Sequence, residues 1–464
     1  MKKFVLNIRD SLVWLVKWLL ISLGIGLLIG LIMSGFGWLV TWVTDLRQAW
    51  WPIIFGLPFS GLLIVFLYKK AGIESANTGT VMLTVREGNH KVSFKLAPLI
   101  LLGTVLTHMF GGSSGREGAA LQFGGSLGDS AARHLHLNAS SGHILMLAAM
   151  SASFSALFGT PLAAAIFPME FISVGVMYYA ALVPCMISSF VASGVSVLLG
   201  VHRTGFPYEI KNLPAIYSTG FLKAILLGVL CAFIGMLFCE ALHYGHLAAK
   251  RLFKNAYLRI FVGGCLVVLL ALIFQSQTYL GLSEGLIEQS FAGTAPPLAF
   301  LFKIIFTILT LNMGFKGGEI VPSFVIGATF GCLMSGLLGL PVGLAVACGM
   351  CGVFCAVTNS PITSILIAFE LFGFEGAGYF GIVVAISYML SGYVSLFSDQ
   401  RIVYSKFETR YINKWADSDY TDVRKHNDMK GRVTPEGDRD PGRTRLRMTA
   451  EEIEAQKEAE QEGK

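Results

Sequence analysis

The sequence predicts an all-α membrane protein: a bundle of many tilted and half-spanning helices in two inverted-topology repeats. Three observations predict it. Of the 464 residues, 54% are apolar and only 14% charged, where soluble domains run near 25% charged. The apolar segments are numerous, and many fall short of the roughly 20 residues that a full membrane span needs. And the chain matches itself, residue type for residue type, at a shift of 200 to 203 positions.

The charge is unevenly placed. Of the 64 charged residues, 27 lie in 405–464, a stretch that nets −1. The rest of the chain is then about 9% charged, too sparse to solvate a soluble surface of its size. The expected organisation is a cytoplasmic N-terminus over 1–10, a first transmembrane half over 11–201 and a second over 218–405. A polar cytoplasmic tail over 406–464 follows, mobile and without a folded regulatory domain. Its near-neutral balance argues against nucleic acid as a partner. The eight cysteines lie in apolar stretches with no histidine or carboxylate interleaved; they read as small buried hydrophobes. No metal and no cofactor is expected.

Along the chain, apolar segments are expected at 11–43, 52–68, 95–110, 117–132, 143–158, 162–176 and 178–201. They continue at 218–249, 256–274, 298–313, 321–338, 341–357, 361–373 and 377–397. The run from Val13 to Val43 is too long for a signal-peptide core and lacks a small-residue cleavage site. As one helix it would measure about 46 Å and so must tilt. Short apolar segments interrupted by glycine or proline suggest helices that stop part-way, at a cavity.

The self-match organises these segments. Gly115, Gly124 and Gly128 meet Gly318, Gly327 and Gly331 at a shift of 203, and upstream Thr104 and Thr107 meet Thr307 and Thr310. At a shift of 200, Phe154, Ala156, Pro161 and Glu170 meet Phe354, Ala356, Pro361 and Glu370. Charge then orients the copies. The stretch 69–95 carries Lys69, Lys70, Arg86, Lys91 and Lys95, whereas its equivalent, 275–297, has no lysine or arginine. Basic short loops stay cytoplasmic, so the repeats are inverted. Lys2, Lys3 and Arg9 place the N-terminus inside, and an inner (plasma) membrane with both termini cytoplasmic is expected.

The densest motif runs Gly111-Gly112-Ser113-Ser114-Gly115-Arg116-Glu117-Gly118. Its glycines allow a sharp turn and leave amides uncovered, and the helix that follows adds its free N–H groups and the positive end of its dipole. That is an anion site without a fixed full charge. Phe315-Lys316-Gly317-Gly318-Glu319-Ile320-Val321-Pro322 has the same design, with Pro322 in a tolerated first-turn position. Two such N-termini from inverted repeats would converge on one dehydrated anion. Glu117 lies at its mouth, and an ionisable group at membrane depth is costly and usually functional. Its carboxylate is itself an anion, able to occupy the cradle when charged and leave it when protonated. The plainer alternative is a static capping carboxylate paired with Arg116.

At these residues the chain resembles the CLC superfamily of chloride channels and anion/proton antiporters, over about 11–405. Gly-Arg-Glu-Gly at 115–118 and Gly-Gly-x-x-x-Pro at 317–322 carry the resemblance. It implies halide transport, not enzymatic catalysis, by a homodimer in membrane lipid, each protomer with its own CLC-type pore. It assigns Glu117 as the gating glutamate and the amides near Gly115, Arg116, Gly118, Glu319 and Ile320 as anion ligands. Tyr404 falls where the family places a tyrosine that closes the inner side; an interfacial tyrosine is the other reading.

The chain also departs from the chloride-type pattern. The first anion motif, Gly-Ser-Gly-x-Pro in chloride members, is replaced by Ala76-Asn77-Thr78-Gly79-Thr80-Val81; Asn77, Thr78, Gly79 and Thr80 are its candidate counterparts. The inner proton glutamate expected after Glu170 is Phe171. With Glu319, these features look more like the fluoride/proton exchanger branch, in which a glutamate at that position handles the proton, although Val321 stands where that branch has threonine. Glu319 reads equally well as a helix-start carboxylate. Glu170 and Glu370 read as structural groups at helix ends. Another secondary transporter and an intramembrane serine hydrolase are the remaining readings. The hydrolase rests on Gly111-x-Ser113-x-Gly115 with His108, His243 or His246 as partner.

Overall fold

The computed structural model describes residues 2–73, 78–87, 92–201, 208, 210, 213–215 and 219–416. Among them the first half contains α1 (Lys2–Ala49), α2 (Leu57–Ala71), α3 (Thr78–Glu87), α4 (Leu96–Met109), α5 (Glu117–His134), α6 (Ala139–Phe158), α7 (Pro161–Phe171) and α8 (Leu182–Leu198). The second contains α9 (Thr219–Leu252), α10 (Ala256–Ile273), α11 (Glu284–Phe291), α12 (Ala299–Asn312), α13 (Ile320–Leu338), α14 (Val342–Thr358), α15 (Pro361–Phe372) and α16 (Ala377–Leu390). Among the described residues, seven segments are long and apolar enough to cross a membrane, and six further apolar helices of 10–17 residues are shorter than a span. Large apolar side chains such as Phe59, Phe190 and Leu198 stand exposed, as a lipid-facing surface requires.

Each of the fourteen expected apolar segments contains a helix. The helices not expected are α3 and α11, which lie inside the two stretches taken as equivalent loops. Both are short and polar at one end, so hydropathy alone passes over them.

The repeat is visible in matched local devices. A Cβ on Gly128 would fall 2.8 Å from Met146 Cα of α6, and one on Gly331 would fall 2.9 Å from Val346 Cα of α14. Small residues thus let α5 and α13 lie directly on the backbones of α6 and α14, the usual basis of close helix packing in lipid. The helices α6 and α14 each end on a left-handed residue, Gly159 (φ 83°) and Asn359 (φ 58°), as αL caps do. Pro161 and Pro361 then open α7 and α15.

Two features add to the helical body. A small sheet accompanies the helices: β2 (Arg401–Tyr404) pairs parallel with β1 (Ser173–Val174) and antiparallel with β3 (Tyr411–Trp415). And β3 lies within 406–464, the stretch expected as a polar tail. Cations on rings hold it: Arg401 lies 4.8 Å from the Trp415 ring and Lys414 lies 3.8 Å from that of Tyr393. Lys406 Nζ also donates to Asn359 Oδ1, Tyr388 O and Ser391 Oγ. Residues 417–464 lie outside the described residues.

Candidate functional site

The site is built where α5 and α13 begin. Gly115 N donates to Gly318 O at 2.6 Å, and Gly318 N donates to Gly115 O at 2.8 Å. This two-bond antiparallel bridge joins residues that the self-match had paired. A Cβ on Gly118 would fall 2.7 Å from Gly318 Cα, so nothing larger than glycine fits between the helix ends. The first intrahelical bond of α5 runs from Ala120 N to Arg116 O, and that of α13 from Ser323 N to Glu319 O. The amides of Gly118 and Ala119, and of Ile320 and Val321, therefore have no acceptor within their helices. Both helix ends present donors and positive dipole ends to one locality.

Two carboxylates stand there. Glu117 is fully buried; its Oε2 accepts from Arg116 N at 3.1 Å and its Oε1 lies 3.7 Å from Arg116 Nε. Glu319 stands at the N-cap position of α13 without a side-chain capping bond, and its Oε2 would lie 3.7 Å from a Cβ on Gly118. The structure thus brings Gly115, Arg116, Glu117, Gly118, Glu319 and Ile320 together.

Of the first-motif candidates, Asn77 lies outside the described residues. Thr78, Gly79 and Thr80 open α3. Thr78 Oγ1 accepts from Gln122 Nε2 of α5 at 3.0 Å, so that hydroxyl is engaged with α5. The open side of Gly79 is filled by Asp399, whose Cγ would lie 2.6 Å from a Cβ at that glycine.

Tyr404, another of the site candidates, is partly exposed. It ends β2 with 46% of its surface exposed, its ring edge-on to Tyr411 at 5.8 Å. The pairing of β2 with β3 slips between Ile402 and Tyr404. Such an irregularity re-aims the side chain beyond it, so Ile402 is buried and Tyr404 turns outward. The buried aromatic of this stretch is Phe397, 5.2 Å from Phe171. Phe171 stacks on Phe167 at 4.7 Å, and the stack continues through Phe354 to Phe324.

Sequence reasoning missed four residues here. Ser114 is fully buried, its Oγ has no hydrogen-bond partner among the described residues, and its side chain packs on Gly317 of the second motif. Asp399 gave no signal, being one acidic residue in a polar loop. Lys303 and Arg47 are buried cations in apolar helices, which membrane cost alone should have flagged. Lys303 Nζ donates to Gly281 O and Ser283 Oγ, both at 2.8 Å. Arg47 Nη1 donates to His108 O at 2.6 Å, and Gly281 N to Gly112 O at 3.2 Å. Together these bonds fasten the loop before α11 to the turn that precedes Gly115.

The serine-hydrolase reading loses its geometry. Ser113 Oγ lies 3.2 Å from Thr307 Oγ1, and His108 Nδ1 bonds to Thr104 O; among the described residues no hydrogen bond joins the serine to a histidine. Glu170 and Glu370 are reciprocal caps. Glu370 accepts from Leu162 N and Ala163 N of α7, and Glu170 from Ile362 N and Thr363 N of α15.

Residues 59–392 match the family model described as voltage gated chloride channel. A chloride/fluoride channel protein of Pseudomonas syringae pv. tomato is 34% identical, over 86% of this chain and 89% of its own. A solved CLC-type fluoride/proton antiporter is similar with a TM-score of 0.79 and 32% identity, covering 83% of this chain and 98% of that one. A slow cyanobacterial chloride/proton antiporter shares the fold, with a TM-score of 0.71 at 18% identity over 81% of this chain and 94% of that one.

Proposed function

Because the chain belongs to the voltage-gated chloride channel family, we propose that it moves a halide across the membrane in exchange for protons, with fluoride as the preferred anion. The observation that carries this reading is the Gly115–Gly318 bridge, which sets two helix N-termini around one locality with Glu117 and Glu319 beside it. In the charged form, the Glu117 carboxylate occupies the amide cradle. A proton neutralises it, the carboxyl leaves and a halide takes its place. Deprotonation reverses the exchange, so halide and proton pass in alternation.

The anion ligands on this reading are the amides around Gly115, Arg116, Gly118, Glu319 and Ile320, with the Ser114 hydroxyl as an added donor. A small, strongly hydrated anion demands short donors to replace its water, and a hydroxyl and bare amides offer them. Glu319 carries the proton beyond Glu117. Fluoride preference is supported by Glu319 and Phe171 and by the similarity to a fluoride/proton antiporter. Chloride transport, by channel or antiporter, is the second reading, supported by the family match. A homodimer, in the inner membrane with both termini cytoplasmic, completes the proposal. So do halves over 11–201 and 218–405.

The deciding experiment is halide efflux from proteoliposomes loaded with fluoride or with chloride. Faster fluoride efflux with opposed proton movement supports the first reading. Equal or faster chloride efflux supports the second.

A further inference from the structure

A cavity of about 410 Å³ adjoins the second motif. Its walls include Lys316 and Glu319, Gln122 of α5, Asn312 of α12, and His243 and His246 of α9. Asn312 is 8% exposed and its Nδ2 has no partner among the described residues; nor has Arg259 Nε, from another residue of the same wall. Buried donors facing a polar space of this size are ordinarily met by water, and at roughly 30 Å³ per molecule there is room for a chain of them.

His243 and His246 are three residues apart on α9 and so share a helix face. Imidazole is the side chain suited to taking up and releasing a proton near neutral pH. The other charged or titratable groups on this wall are Cys239 and Lys250 of α9, Arg259 of α10, and Lys316 and Glu319 at the start of α13. Phe171 offers no such group, being fully buried and stacked on Phe167.

We infer that His243 and His246 relay protons between Glu319 and the solution on the Lys250 side of the cavity. The Glu319 carboxyl releases its proton to cavity water, an imidazole nitrogen accepts it, and the imidazolium returns it to bulk water; the reverse sequence reloads Glu319. No other bond changes. The inference rests on the reading of Glu319 as a proton carrier.

The test is halide-coupled proton flux in proteoliposomes for the wild type, Glu319→Gln and the double variant His243→Gln/His246→Gln, each with and without imidazole buffer on the Lys250 side. The double variant is expected to lose about ten-fold or more of the flux, by analogy with other positioned proton donors. Imidazole should restore it, but should not restore Glu319→Gln. Undiminished flux in Glu319→Gln overturns the reading beneath the inference. Loss in Glu319→Gln with full flux in the double variant overturns the relay alone. A double variant that elutes as a folded protein, loses flux and is not rescued by imidazole also overturns it.

Discussion

Gly115 and Gly318, 203 positions apart, exchange both of their backbone hydrogen bonds, at 2.6 and 2.8 Å. A pair of bonds of this kind normally joins two strands. Here it joins the turns before two helices, one from each half, and so sets how far apart their N-termini stand. The spacing of a site made from amides is thereby set by backbone, with no long side chain to relax.

This spacing makes Gly118→Ala informative. The added methyl would sit 2.7 Å from Gly318 Cα, and forcing such a contact costs about 1–3 kcal/mol. The variant should lose most halide flux in proteoliposomes and melt at a lower temperature in detergent. Wild-type flux would show that the spacing of the two helix ends does not govern transport.

Ser114→Ala separates binding from folding. Its hydroxyl has no partner among the described residues, so its removal should leave thermal stability nearly unchanged. A hydrogen bond to an anion is worth about 1.5–3 kcal/mol, so the halide concentration at half-maximal flux should rise ten-fold or more. An unchanged value removes Ser114 from the site.

The halves of the molecule were legible because matched glycines, prolines and glutamates recur in order, from Gly115 and Gly318 to Glu170 and Glu370. The helix ends were legible because Gly-rich turns before apolar runs have few alternatives. What was not legible followed from contacts between distant segments. The helix α3 is short and polar at one end, so no hydropathy signal marks it. Tyr404 was placed by sequence position, yet a register slip after Ile402 decides where it points. The attachment of β3 depends on Trp415 and Tyr393 meeting cations across the fold, and composition reports only a polar tail. Ser114 was read as part of a turn, since only the closeness of Gly317 makes its hydroxyl notable.

The outward position of Tyr404 predicts that Tyr404→Phe leaves the fluoride-to-chloride flux ratio at the wild-type value. A shifted ratio would return the hydroxyl to the anion path.

The reciprocal caps predict an effect on stability without one on selectivity. Glu370→Gln leaves one oxygen to serve both Leu162 N and Ala163 N, now bonded at 2.8 Å each, and turns an NH₂ group toward the other. Losing a charged acceptor of this kind costs about 1.5–3 kcal/mol. Glu170→Gln should behave alike at α15. Both variants should melt earlier while keeping the halide preference; an altered preference would place these carboxylates in the transport path.

The central claim is that one acidic side chain and the halide compete for the amides at the starts of α5 and α13. Paired halide and proton fluxes from proteoliposomes bearing Glu117→Gln test it most directly. The account predicts that halide-driven proton movement disappears while halide flux persists or changes in rate. Proton movement still coupled to halide in that variant would contradict it.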